Sequence, residues 1–271
     1  MEIIRKFDNI NELVKFAQGK TDMENSQRAS IKENGDDWTD GASLDDAWNM
    51  LESGWPKGAD QIKDINAELT ASSDGYKPLP TFEPSVMGEI VEPSSYFAGE
   101  PECFYQQEPT QCKVPVVKIG IPSSIVCSAT AQELMNRGLA LLSLINAIEQ
   151  NRISTELWIV QYCTNGSNNS LLYHIKVKAS DEPFDMDRLA FMCAHPAFFR
   201  RIIFSAMEHE SKSGRRAIGI SRDDGYGTPK THQSKEYDLL PDYKMSMFKT
   251  PDKSNQWIVE NAKKVGIEIT L

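Results

Sequence analysis

The stretch that most constrains this chain lies between residues 114 and 163. Two apolar, β-branched runs, VPVVKIGIP (114–122) and TELWIVQYC (155–163), flank a segment from Ala131 to about Gln150 whose Leu and Ile residues fall on most helical faces. Thr130 with Glu133 makes a T-x-x-E capping box at the start of that segment. Strand, buried helix, strand is the arrangement that satisfies this pattern. Its crossover is right-handed if the two strands are parallel.

The pattern continues beyond residue 163. A polar turn, TNGSNNS, leads to a third strand, LLYHIKVKA (171–179). DMDRLAFMCAHPAFFRRIIFSAMEHE then reads as helix, break, helix, with Pro196 in the first turn of the second helix, where a missing N–H costs little. RAIGIS (216–221) is a candidate fourth strand, 222–255 is mostly loop, and WIVENAKKVGI (257–267) is a last helix running into a terminal strand. The expected fold class is therefore α/β, a mixed sheet flanked by helices and occupying residues 113–271.

A helical N-terminal region, 1–70, is expected ahead of it. Phe7, Ile10, Val14 and Ala17 have helical spacing over 7–18. Residues 43–70 read as a helical hairpin, with Ser43 as cap, Asp45 and Asp46 in the first turn, and a tight turn at Gly54–Gly58. Between the two regions, Pro78, Pro80, Pro84, Pro93, Pro101 and Pro109 interrupt every regular element of 71–112. The aromatics there, Tyr96, Phe97, Phe104 and Tyr105 among them, suggest an extended segment packed on the core.

Charge narrows the function. The chain carries a formal −10, but residues 22–108 hold 19 acidic and 5 basic side chains, a net of −14, which leaves +4 for the remainder. A general cationic coat for nucleic acid is excluded, while a local anion site is not. The densest basic stretch is 200–222. Five cysteines, Cys103, Cys112, Cys127, Cys163 and Cys193, form no CxxC pair and read as reduced cytosolic thiols. With no apolar span and no secretory leader, the expected location is the cytoplasm.

Motifs that carry chemistry are few. The loop Ile121-Pro122-Ser123-Ser124 ends the first core strand, where open α/β sheets place ligands. It lacks the aspartate that a divalent cation wants, so it reads as a hydroxyl-rich turn. The segment Asp187–Arg201, with His195 before Pro196 and the pair Arg200-Arg201, could hold a phosphate, or His195 could cap the helix while the arginines form ion pairs. The histidines, His174, His195, His209 and His232, make no metal-binding spacing. Gly225-Tyr226-Gly227 near Arg222 lacks the rest of a phosphate loop. Trp48 and Trp55 have core spacing, and Trp38 stands near acidic residues. No metal or cofactor is expected.

Trp38-Thr39-Asp40-Gly41-Ala42-Ser43-Leu44-Asp45-Asp46-Ala47-Trp48 with Gly54-Trp55, then Ala98-Gly99-Glu100-Pro101-Glu102, Arg137-Gly138, Asp187-Arg188-Leu189-Ala190-Phe191, His195-Pro196 and Arg200-Arg201 resemble a family of uncharacterised tailed-phage proteins. The resemblance spans roughly residues 7–210. It implies a second half similar to a degenerate von Willebrand A-like domain whose metal ligands are gone. It also suggests the single-strand-DNA-binding cofactors with which N4-like phages serve their own RNA polymerase, with no binding residue carried over.

The expectation is thus a non-enzymatic phage protein of the host cytoplasm that binds a macromolecule, with single-stranded DNA and a phage RNA polymerase as partners. The nucleic-acid or anion site is expected at Arg137, Arg200, Arg201, Arg215 and Arg216, with Arg215 and Arg216 exposed. Two alternatives remain open: an enzyme with its site on Asp187–Arg201, and a scaffold or virion-assembly protein.

Overall fold

The structure is a computed structural model describing residues 1–32, 36–68, 70–72, 82–88, 90–107, 115–166, 168–221, 225–230, 232, 234–240 and 251–270. Two compact units divide the chain, residues 1–73 with 116–271 and residues 74–115. No helix among the described residues is long and apolar enough to cross a membrane.

The larger unit is built on a five-stranded sheet that contains three of the strands expected from the sequence and two more, Glu2–Phe7 and Thr228–Pro229. Strands β2 (Val116–Pro122) and β3 (Ser154–Thr164) pair in parallel, joined through helix α4 (Ala131–Gln150). β4 (Ser170–Lys178) then runs antiparallel to β3. The first added strand is β1, Glu2–Phe7, which pairs in parallel with β4 from Glu2↔Ser170 to Phe7↔Ile175. A purely helical N-terminal region is therefore corrected. Ile3, Arg5 and Phe7 alternate inward, and this period of two is hidden by apolar residues that also suit a helix. The helix of that region, α1, covers only Ile10–Ala17 and is capped by Asn9.

The capping expectations hold in detail. Thr130 and Glu133 bond reciprocally at the head of α4. Ser43 and Asp46 do the same at the head of α2 (Leu44–Ser53), and α3 (Pro56–Glu68) follows after a turn of two residues, Gly54 and Trp55. The turn is thus shorter than Gly54–Gly58, because Pro56 starts α3 and places Gly58 within it. Leu69 lies outside the described residues.

All the helices of this unit that contribute to the main core pack on one face of the sheet. Its buried members include Ile119, Ile121, Leu157, Ile159, Tyr173 and Ile175 from the strands, against Leu141, Leu144, Ile145 and Ile148 of α4 and Phe191 of α5 (Met186–Ala194). Gly138 lets α4 and α5 touch: a Cβ there would lie 2.2 Å from the Ala194 Cα. A second cluster on the opposite face, Trp158, Val160, Leu172 and Tyr237, contains no helical residue.

Downstream of α5 the chain departs from expectation in several places. A π-helical stretch, Phe198–Ile203, runs into α6, Phe204–Glu208. The expected strand at 216–221 is instead mostly helix α7, Lys212–Ile218, with only Ile220–Ser221 extended. Ser211 caps α7 through Gly214 N–H, and Gly219 closes it in the left-handed conformation, so local capping overrides β-branched composition. Thr228–Pro229 (β5) pairs antiparallel with the end of β3. The last helix, α8, starts earlier than expected, at Pro251, and ends at Lys264.

The smaller unit is more regular than its prolines suggest. Phe82–Ser85, Phe104–Gln107 and Ile90–Val91 form a three-stranded antiparallel sheet, and Pro93–Ala98 forms a helix. Pro84 sits on an edge strand and Pro93 in the first helical turn, the two places where a missing N–H is tolerated. Tyr96 and Phe97, expected from their composition to cover a core, are 57% and 86% exposed.

Candidate functional site

Two features of the larger unit could meet a ligand: a cavity on the helical side of the sheet and a cationic cluster on its outer face. The cavity follows from strand polarity. β2 and β3 run in parallel, so their carboxyl ends open at one edge, where the chain leaves β2 for α4. Ser123 and Gln161 lie at this edge, with Ile125, Val126 and Cys127 of the following loop. Trp38, Phe199, Arg200, Phe204 and Tyr226 close the other walls of a space of about 610 Å³. Phe204 and Tyr226 stack at 4.0 Å with rings 9° apart.

The hydroxyls of the Ser123-Ser124 loop are bonded within the chain. Ser123 Oγ donates to Gln161 Oε1 at 2.7 Å, and Ser124 Oγ accepts from Tyr162 N–H at 2.6 Å. This is the hydroxyl-rich turn the sequence suggested. Gln161 was not foreseen, since a lone glutamine inside an apolar strand has no motif around it. Burial raises the Cys163 thiol, also on the wall, to about 12, which keeps it neutral.

Four of the five expected anion-binding arginines are turned into the protein. Arg137, Arg200, Arg201 and Arg215 are buried. Arg137 lies over the Phe199 ring at 5.3 Å. Arg201 donates to the carbonyls of Ala42, Ser30 and Lys32 at 3.1, 3.0 and 2.6 Å and so holds the 29–42 segment on the π-helical stretch. Arg215 donates to the Glu210 carbonyl and to Asp22 Oδ1 at 2.5 Å, so the exposure expected of it is corrected. Its helix, α7, turns it inward, and Arg216 is the exposed member of the pair. Arg200 alone of the five lines the cavity. It donates to Trp38 O and Ala129 O at 2.7 and 2.6 Å and stacks 3.8 Å from the Trp38 ring centroid.

A buried carboxylate completes this interior network. Glu208 accepts from Arg28 Nε and Ser30 N–H at 2.8 Å each, and from Ser30 Oγ and Tyr226 Oη at 2.5 Å each. Four donors satisfy the two oxygens of this carboxylate, so the network reads as structural.

Asp187–Arg201 places its polar groups in the same manner. His195 Nδ1 accepts from Ala197 N–H at 3.1 Å, the capping role weighed from the sequence. Burial lowers its pKa to about 4, and it packs edge-on against Trp55. The Asp187 carbonyl accepts from Trp55 N–H at 2.8 Å. Arg188 lines a smaller cavity of about 390 Å³ whose walls mix Lys176 and Lys178 with Asp8, Glu182 and Asp185. Arg222 lies outside the described residues, as does Cys112. No group of three or more His, Cys, Asp or Glu side chains that could hold a metal occurs among the described residues.

The outer face gathers cations that no motif announced. Alternation on the strands turns Lys6 of β1, Lys118 of β2 and Lys176 of β4 to this side, together with Trp158 of β3. Their ammonium groups lie 5.1, 5.0 and 4.9 Å from the Trp158 ring centroid. Tyr237 and Leu240 cover Gly120, where a Cβ would come within 2.6 Å of Leu240 Cδ1. His174 Nδ1 meets Tyr237 Oη at 2.5 Å, and His232 lies against the rings of both Tyr162 and His174. Burial lowers the His174 pKa, so its ring is neutral near pH 7.

No curated protein and no solved structure matches the chain. A family model described as a domain of unknown function, DUF7192, matches residues 1–268, and the chain belongs to that family.

Proposed function

We propose that this is a non-enzymatic binding protein that takes single-stranded nucleic acid across the outer face of its sheet. The observation that carries the reading is the convergence of Lys6, Lys118 and Lys176 on Trp158. Three strands bring three like charges to one ring. Asp8 pairs with Lys6 at 3.3 Å and Glu156 reaches Lys118 at 3.9 Å, while Lys176 has no carboxylate partner among the described residues. A phosphate chain would neutralise such a cluster, and the half-buried Tyr162 and His232 offer rings for bases to stack on. All three lysines belong to the part of the chain outside residues 22–108, which carries a net +4 against the −14 of that stretch.

The proposal includes the partners suggested by the phage resemblance, single-stranded DNA and a phage RNA polymerase. It also reads the core as a von Willebrand A-like layer without its metal ligands. Support for that comes from the parallel β2–α4–β3 unit, the antiparallel β4 and the Ser123-Ser124 loop at the end of β2.

The test is a salt titration of a fluorescent oligonucleotide with the full chain and with the Lys6→Ala, Lys118→Ala, Lys176→Ala triple variant. Wild type should bind at about 50 mM salt, and removing three phosphate contacts should flatten the log–log salt slope by roughly 2. Absence of binding at low salt, or an unchanged slope, refutes the proposal.

A further inference from the structure

The cavity at the carboxyl ends of β2 and β3 contains two polar groups that the protein leaves incompletely served. Gln161 is 5% exposed. One end of its amide is held by Ser123, and the other meets the Met207 sulfur at 3.8 Å. A thioether is a weak acceptor and no donor, so one end of the amide lacks a strong partner whichever way the amide is turned. Arg200 is 3% exposed, and its bonds go to two neutral carbonyls and the face of Trp38. No carboxylate pairs with it among the described residues. A buried cation without a counter-charge is unfavourable, and burial lowers its pKa to about 10.

We propose that this cavity binds a free mononucleotide, with the base between the aromatic walls, its edge hydrogen-bonded to Gln161, and the phosphate neutralising Arg200. Each part has its own warrant. Trp38, Phe199 and the Phe204–Tyr226 stack supply apolar faces for a planar ring. An amide with one unsatisfied end recognises the polar edge of a heteroaromatic ring and not a hydrocarbon. A guanidinium suits phosphate oxygens through charge-assisted hydrogen bonds. The space, about 610 Å³, lies within the range of pockets that enclose small organic ligands. The site is independent of the outer face, which lies across the sheet.

Cys127 supplies the measurement. It lines the cavity and is the exposed one of the four described cysteines, all of which are free. Iodoacetamide alkylation of the full chain is followed at Cys127 by mass spectrometry with AMP, GMP, CMP or UMP, with the matching nucleosides, with inorganic phosphate, and with a 5′-phosphorylated oligothymidylate. At least one mononucleotide should slow alkylation about tenfold once its concentration is about ten times its Kd. Its nucleoside and inorganic phosphate should protect less. Gln161→Leu should lose the protection by the nucleotide. Val126→Trp, which fills the exposed mouth of the cavity, gives the same readout if the buried change disturbs folding. Unchanged alkylation with every mononucleotide overturns the site. Equal protection by inorganic phosphate overturns the role of the base. Protection by the oligonucleotide and by no mononucleotide overturns the ligand.

Discussion

The two cationic regions of the larger unit use charge in opposite ways. On the helical side, Arg201 and Arg215 are buried and spend their donors on backbone carbonyls and on Asp22. On the outer face, Lys6, Lys118 and Lys176 lay their ammonium groups over one indole. The chemistry of the side chains explains the division. A guanidinium is a planar fork that can bind several fixed carbonyls at once, whereas an ammonium is a hydrated point charge on a flexible stem. The arginines therefore fasten chain segments together, and the lysines remain available to an outside anion. Density of basic residues along the sequence pointed to the first group, and only strand register reveals the second.

The sharpest way to break this comparison is Arg201→Ala. It would strand the carbonyls of Ser30, Lys32 and Ala42 together, so a loss of about 3–5 kcal/mol is expected in urea unfolding. A loss below about 1 kcal/mol, the range of an exposed charge, would erase the contrast with the lysines.

Next in size is a pH effect on the same side. His195 is neutral when folded because burial lowers its pKa from 6.5 to about 4. The unfolded chain then binds the extra proton between those values, so stability rises with pH in that window. The contribution is fully present above 6.5 and is lost as pH falls toward 4, by about 3 kcal/mol at most. His195→Asn, whose carboxamide oxygen can still accept from Ala197 N–H, should flatten the slope of unfolding free energy over this range. An unchanged slope would show that His195 is protonated within the fold.

What the sequence disclosed and what it hid follow the range of the interactions. The β2–α4–β3 unit was legible because its apolar runs and the Thr130–Glu133 box are local. The Ser43 cap was legible for the same reason. β1 was missed because its parallel partner begins at Ser170, and its own apolar residues fit a helix as well as a strand. α7 was misread as a strand because Ile218 and Ile220 outweighed the Ser211 cap and the Gly219 stop in a reading by composition. The cavity was half legible. The Ser123 loop stood out by its place after a strand, but Gln161, Phe204 and Tyr226 join it only through the fold. The arginines were visible as charges, but burial is a tertiary property that no run of basic residues encodes.

Smaller effects test the outer face. The alanine triple variant of Lys6, Lys118 and Lys176 should reduce stability by only about 1–2 kcal/mol in all, since the lysines themselves stay partly solvated and such a cation–ring contact contributes about 0.5–1 kcal/mol. A larger loss in thermal unfolding would mean that the lysines are as structural as the arginines, and the comparison would fail.

The smallest expected effect is also the most discriminating. Lys176→Met keeps an unbranched apolar stem over Trp158 and removes only the charge. Because Lys176 has no carboxylate partner among the described residues, its charge should add little to the fold. Unfolding free energy is expected to change by less than about 1 kcal/mol. Oligonucleotide binding should nevertheless weaken, and the salt slope should lose roughly 0.7, the share of one neutralised phosphate on a single strand. Stability and binding are thereby separated at one residue. If Lys176→Met destabilises the fold while leaving the salt slope intact, the ammonium serves Trp158 alone, and both faces of the sheet then use their cations for the same internal purpose.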